Sequence, residues 1–292
     1  MDKNTQRILE SAKAVGQRFV FNVASRFASM QTGEKYGAGM GSSLEFLDHR
    51  EYQPGDDIRH IDWNALARSD KLTVKLFREE ISPHLDILID GSASMNLDDT
   101  AKYAALMSGV AVMRAAALNS GYNVSAWVIK DRCEKIPETN FDVERWRGTD
   151  CVYAGNTGKT LVTMPPPLKP RGVRILFSDL FWETEPETIL RQLTNNAALV
   201  IIIQVVAKID EEPDLLGNLR LVDSESGETL EVMADKPIIK EYIKNFNRHR
   251  NYWRDSCTKS GAFFTHLVAE DFIKDFVPQE LLKTEILVAG GK

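Results

Sequence analysis

Two aspartates stand at the ends of apolar runs: Asp90 closes HLDILID over residues 84–90, and Asp179 closes VRILFSD over residues 173–179. Ser92 and Ser94 follow Asp90 at two and four positions. On a tight turn leading into a helix, that spacing can bring three oxygens to one point. Thr157 and Thr160 offer further hydroxyls from a glycine-containing stretch. If the two strands are neighbours, the carboxylates meet; at about 4 Å and an effective dielectric near 20 their repulsion is roughly 4 kcal/mol. Something positive is required. No Lys or Arg lies in residues 90–95, although Lys159 could approach from the later stretch. A hard divalent cation suits such oxygens: Mg2+ in first place, with Mn2+ or Ca2+ as alternatives.

The elements that must position these groups read as alternating strands and helices. Apolar residues at intervals of three and four predict an amphipathic helix over residues 4–30. Glycines at 33, 37, 39 and 41 then mark a loop. Residues 44–52 follow, with a turn at 54–57, a short helix over 61–68 and a strand over 72–80. After Pro83 come a strand to Asp90, a helix capped by Asp98 or Asp99 and stopped by Gly121, a strand over 122–129, and a pairing segment over 132–136. Residues 141–171 read as irregular. Next come a strand to Asp179, a helix over 185–195, a β-branched strand over 198–206, a hairpin over 219–222 and 229–233, a helix over 236–259, a strand over 263–268 and a helix over 270–282. Nearly all-apolar strands alternating with helices predict an α/β fold: a doubly wound, mostly parallel sheet covered on both faces. In such sheets ligands bind beyond the carboxyl ends of the strands, where strand order reverses.

Asp90-Gly91-Ser92-Ala93-Ser94 resembles the DxSxS signature of the metal-ion-dependent adhesion site in von Willebrand A domains. The resemblance implies that Asp90, Ser92 and Ser94 hold the metal with Asp179 and a threonine, Thr157 being preferred to Thr160, and that a protein partner adds a carboxylate at an open position. Upstream, SLEFLDHREY over 43–52, PGDDIR over 54–59, IDW over 61–63 and AR over 67–68 resemble the bacterial domain of unknown function 58 family. That likeness covers residues 36–100, with the remainder similar at the level of fold. It implies a family-specific region with an N-terminal helix over 1–82, packed on a von Willebrand A-like domain over 83–292 that carries a hairpin insertion near 219–233. It also implies a partnership with a MoxR-type ATPase in assembling or maturing a protein complex. Many members carry an N-terminal membrane anchor, which this sequence is expected to lack.

Rival chemistries fare worse. GNTGKT over 155–160 suggests a phosphate-binding loop, but Tyr153 holds the place of the required first glycine. An aspartyl phosphatase would want an acid where Ser92 stands, and the GxSxG of a serine hydrolase is absent. Five histidines, 49, 60, 84, 249 and 266, lack ligand spacing. No catalytic residues are assigned, and the protein is expected not to be an enzyme. The alternative is a structural or regulatory protein with a degenerate, metal-free site. The charged block of Asp56, Asp57, Arg59, Asp62 and Arg68 around Trp63 reads as a salt-bridged network or a docking surface, the network being favoured. Arg171 and Arg174 are expected to be solvated, and Trp182 to be a packing residue like Trp127, Trp146 and Trp253, with a place at the rim of the site as its alternative.

The 292 residues are 43% hydrophobic and 27% charged, ordinary for a globular protein and too apolar for disorder. A net charge of −6 gives no general affinity for nucleic acid. Cys133, Cys151 and Cys257 have no CxxC spacing and read as free thiols of a reducing compartment. The longest apolar run, residues 197–203, is far short of a membrane span, so no membrane segment and a cytoplasmic location are expected.

Overall fold

The computed structural model describes residues 3–22, 44–69, 71–79, 83–97, 100–137 and 142–290. The chain divides into two compact units, one of residues 1–30 with 83–292 and one of residues 31–82.

The larger unit is a mixed α/β fold. Its strands β4 (His84–Asp90), β5 (Asn123–Ile129), β6 (Cys133–Lys135), β7 (Val173–Ser178), β8 (Leu199–Val206) and β11 (Phe263–Val268) form one sheet in the order β11-β8-β7-β4-β5-β6. All neighbours are parallel except β6, which runs antiparallel to β5. The chain leaves β4 to one side through β5 and to the other through β7, β8 and β11, so strand order reverses at β4.

Alternate strand residues feed two apolar clusters, which is why the runs are apolar throughout rather than every second residue. Ile87, Ile89, Ile175, Phe177, Ile201 and Ile203 pack with Leu106, Val110 and Met113 of helix α3 (Lys102–Asn119). Leu88, Leu176 and Ile202 pack with Ile189, Leu190 and Leu193 of α5 (Pro186–Thr194) and with Trp253 of α7 (Lys236–Lys259). A hairpin of β9 (Gly217–Val222) and β10 (Thr229–Ala234) precedes α7.

Several expectations are corrected. Helix α1 (Lys3–Gly16) stops fourteen residues before residue 30. Gly16 lies so close to α3 that a Cβ there would meet the Val112 carbonyl at 2.5 Å. The chain then turns into β1 (Phe19–Phe21), which pairs antiparallel with an unforeseen strand β12 (Leu287–Ala289). Val23 and Phe27, placed on the same helix by periodicity, lie outside the described residues, as do Asp98 and Asp99. Residues 157–163, read as irregular, form helix α4 (Thr157–Thr163), started by the Asn156 side chain accepting from the Lys159 N–H at 2.8 Å. The helix expected over 270–282 is two: α8 (Ala269–Asp275) and α9 (Gln279–Lys283), parted where Phe276 turns left-handed at φ 58° ahead of Pro278. Arg174 is buried rather than solvated, donating to the carbonyls of Leu193 and Asn195 at 2.5 and 2.9 Å.

The smaller unit pairs β2 (Leu44–Glu51) antiparallel with β3 (Thr73–Glu79) and carries α2 (Trp63–Ser69) between them. Its charges close on one another: Arg50 with Asp56, Arg59 with Asp57, and both His49 and Lys75 with Asp62. The His49 imidazole and the Ala65 N–H hold the Asp62 carboxyl down, to about 2. Trp63 stays 63% exposed in the middle of this block.

Candidate functional site

Asp90 is the last residue of the central strand, and neighbouring strands fix its surroundings. In register, Ile89 lies opposite Phe177 on β7 and Asp90 opposite Ile129 on β5. The chain leaves β4 through Gly91, whose N–H donates to the Ile129 carbonyl at 2.9 Å. A Cβ at Gly91 would sit 2.7 Å from that carbonyl, so the turn requires glycine. Tyr153 braces the other side, donating its N–H to Gly91 and accepting from the Ala93 N–H. Ser92 is thereby held extended ahead of a single 3-10 turn, Ala93–Asn96.

The Asp90 carboxylate collects three donors. Oδ1 accepts from the Ser92 N–H at 3.0 Å and from Thr157 Oγ1 at 2.9 Å; Oδ2 accepts from Ser178 Oγ at 2.5 Å. Ser92 and Ser94 hydroxyls pair at 3.0 Å. Asp90, Ser92, Thr157, Ser178 and Asp179 are buried, while Ser94 is half-buried and marks the side nearer solvent. Thr160 turns away, its hydroxyl donating to the Asn156 carbonyl of its own helix. Helix α4 is seated by Gly158, where a Cβ would meet the Trp182 ring at 2.7 Å. Trp182 is buried between Gly158 and Trp253, as expected of a packing residue.

Asp179 sits one residue past β7. Its Oδ2 accepts from Lys102 Nζ at 2.7 Å, its Oδ1 from the Phe181 N–H at 3.3 Å, and its carbonyl from Gln204 Nε2 at 3.0 Å. Lys102 is 1% exposed and stands 3.8 Å from Asp210 as well. Lys159, the cation suggested by the sequence, is exposed.

Burial, then the nearby charge of Asp179, pushes the Asp90 carboxyl upward, against its three hydrogen bonds. For Lys102, burial works against the ammonium, and the charges of Asp179, Asp210 and Asp90 outweigh it and raise its pKa. Burial raises Asp210, with Lys102 opposing. The hairpin tip also reaches this field. Glu225 is half-buried among exposed neighbours, and burial followed by the charges of Asp90 and Asp179 lifts it to about 7.

The structure thus brings Asp90, Ser92, Ser94 and Thr157 into one hydrogen-bonded chain with Asp179 close by. Sequence reasoning missed Lys102 and Ser178. Ser178 was legible as the hydroxyl directly before Asp179. Lys102 carried no signal of its own in the sequence.

Among the described residues, no helix is long and apolar enough to cross a membrane. Uncharacterized proteins of Mycobacterium bovis and Mycobacterium tuberculosis are 24% identical over 241 residues, covering 75% of this chain and 72% of theirs. Among solved structures, BatB, a conserved hypothetical protein from Bacteroides thetaiotaomicron, is 9% identical and covers 69% of this chain and 99% of its own, at a TM-score of 0.34. An aerotolerance-related membrane protein from Bacteroides fragilis is 10% identical, with 70% and 98% covered and a TM-score of 0.34. The family described as protein of unknown function DUF58 matches residues 48–252, well over half of the chain, and to that family the chain belongs.

Proposed function

We propose that residues 83–292 are a von Willebrand A-like, doubly wound domain that binds a protein partner through one divalent cation. Asp90, Ser92, Ser94, Thr157 and Asp179 are the residues that would hold it. Every donor is a hard oxygen, the class that Mg2+, Mn2+ and Ca2+ select. The bound ion supplies a positive charge with a coordination position that a partner's Asp or Glu can fill. The protein's own residues orient the set: Gly91 and Tyr153 fix the turn, Gly158 and Trp182 seat the helix that carries Thr157, and β7, paired with β4, carries Ser178 onto Asp90 with Asp179 next in sequence. The Ser92 and Ser94 hydroxyls pair with each other rather than with a base, which suits ligands better than nucleophiles and favours binding over catalysis.

The observation that carries this reading is the hydrogen-bonded chain from Thr157 through Asp90 to Ser92 and Ser94, drawn from two segments 67 positions apart at the point where strand order reverses. The partner we assign is a MoxR-type ATPase, a proposal that rests on the family. Calorimetric titration with Mg2+ tests the metal, with Asp90→Asn as control: saturable binding lost in the variant supports the reading, and equal binding by both ends it. Binding to a purified MoxR-type ATPase, with and without a chelator, tests the partner.

Lys102 favours a second reading, a site that works without metal. Its ammonium already lies at 2.7 Å from Asp179 and offsets part of the buried negative charge. On that reading Mg2+ neither binds nor stabilises the protein.

A further inference from the structure

We infer that Lys102 is the site's resident cation, and that a divalent ion loads by displacing its ammonium from Asp179 onto Asp210. The inference rests on the metal-binding reading above and adds a control on it.

A buried ammonium needs a buried counter-charge, since leaving it unpaired is costly. Lys102 begins α3, directly behind the Asp90 turn, and is 1% exposed. It has two acids within reach. Asp179 Oδ2 is at 2.7 Å and takes the hydrogen bond; Asp210 Oδ2 is at 3.8 Å, beyond hydrogen-bond distance. A shift of little more than an ångström along this line exchanges one partner for the other. No backbone movement is needed for that, because the lysine chain has four rotatable bonds and its stem stays buried.

On the metal-binding reading, the ion and Lys102 draw on the same Asp179 carboxylate. Two cations sharing one buried carboxylate repel strongly. The ammonium must therefore leave as the metal arrives, and Asp210 is the acid placed to receive it. Asp210 is itself anchored: its carboxylate accepts from the Ala207 N–H at 2.8 Å, just past the end of β8, and its carbonyl accepts from the Tyr242 hydroxyl of α7 at 3.0 Å. The exchange thus ties the state of the ion site to residues 207–211 and to α7, outside the set of ligands.

Four proteins test this: wild type, Lys102→Met, Asp210→Asn and the double variant, which loses one charge of each sign. Each is titrated calorimetrically with Mg2+, and its melting temperature is read with and without Mg2+. Lys102→Met is expected to bind Mg2+ at least tenfold more tightly than wild type, within the usual range of coupling between sites. Asp210→Asn is expected to bind it at least threefold more weakly, because the ammonium has lost its second acid. In the double variant the Asp210→Asn effect is expected to vanish, as it would not if Asp210 acted on the ion only through space. Should Lys102→Met fold poorly, the double variant carries the comparison alone, and it must match or exceed wild-type affinity. If wild type binds Mg2+ and removal of Lys102 tightens nothing, the exchange is wrong while the metal reading stands. If none of the four binds Mg2+, both fall.

Discussion

Thr157 Oγ1 donates to Asp90 Oδ1 at 2.9 Å, across 67 positions of sequence, so a residue of a two-turn helix completes the shell around the end of the central strand. Thr160, one turn later, bonds only to its own helix. Replacing Thr157 with Ala is expected to weaken Mg2+ binding by about tenfold or more, and Thr160→Ala to leave it within about twofold. Calorimetry on the two variants checks this. Equal losses would show that the hydroxyl bonded to Asp90 has no special part.

Gly158 makes Thr157's position possible. An added methyl would stand 2.7 Å from the Trp182 ring, which is itself locked edge-on against Trp253 at 6.1 Å between centroids. Gly158→Ala is expected to cost about 1–3 kcal/mol of stability by overpacking, read as a lower denaturant midpoint with an unchanged slope. Lys159→Ala, at the exposed neighbour, is expected to change stability by no more than about 0.5 kcal/mol.

Arg174 serves stability rather than the site. Its guanidinium caps the carbonyls of Leu193 and Asn195 where α5 ends. Arg174→Met keeps much of the stem and leaves those carbonyls without the charged donor, an expected loss of about 2–3 kcal/mol. Thermal melting checks it, and a shift no larger than that of an exposed Arg171→Met variant would contradict it.

Glu225 gives the protein a dependence on pH. Its carboxyl is lifted to about 7 by burial and by the charges of Asp90 and Asp179. A raised carboxyl favours the folded state while protonated, so this contribution is complete below about 4.5 and fades as pH rises through about 7. Wild type is expected to lose stability over that window, and Glu225→Gln to lose less. Parallel melting curves for the two proteins across that range would contradict the assignment.

Much of the fold was legible because long apolar strands and capped helices follow period and punctuation. Helix α7 and strand β11 fall on residues 236–259 and 263–268 as expected, with Pro237 in the first turn of the helix. Periodicity failed where tertiary contact overrides it. Leu9, Ala12 and Phe19 share one helical spacing, yet the close approach of Gly16 to α3 ends the helix and turns Phe19 into a strand. The aspartates and serines of the site were legible through their places at strand ends. Lys102 was not, because a lysine at a helix start ordinarily reads as a solvated charge, and only the packing of α3 under the sheet edge buries it.

Strand β1 pairs Phe19–Phe21 with Leu287–Ala289, joining segments more than 260 residues apart. On a ribosome adding about 5–20 residues per second, the first of these waits roughly 10–50 s for its mate to be made. Through that interval Phe19 and Phe21, buried in the finished protein, have no strand to lie against. This pairing therefore waits on synthesis of residues 287–289, whatever order the central sheet assembles in.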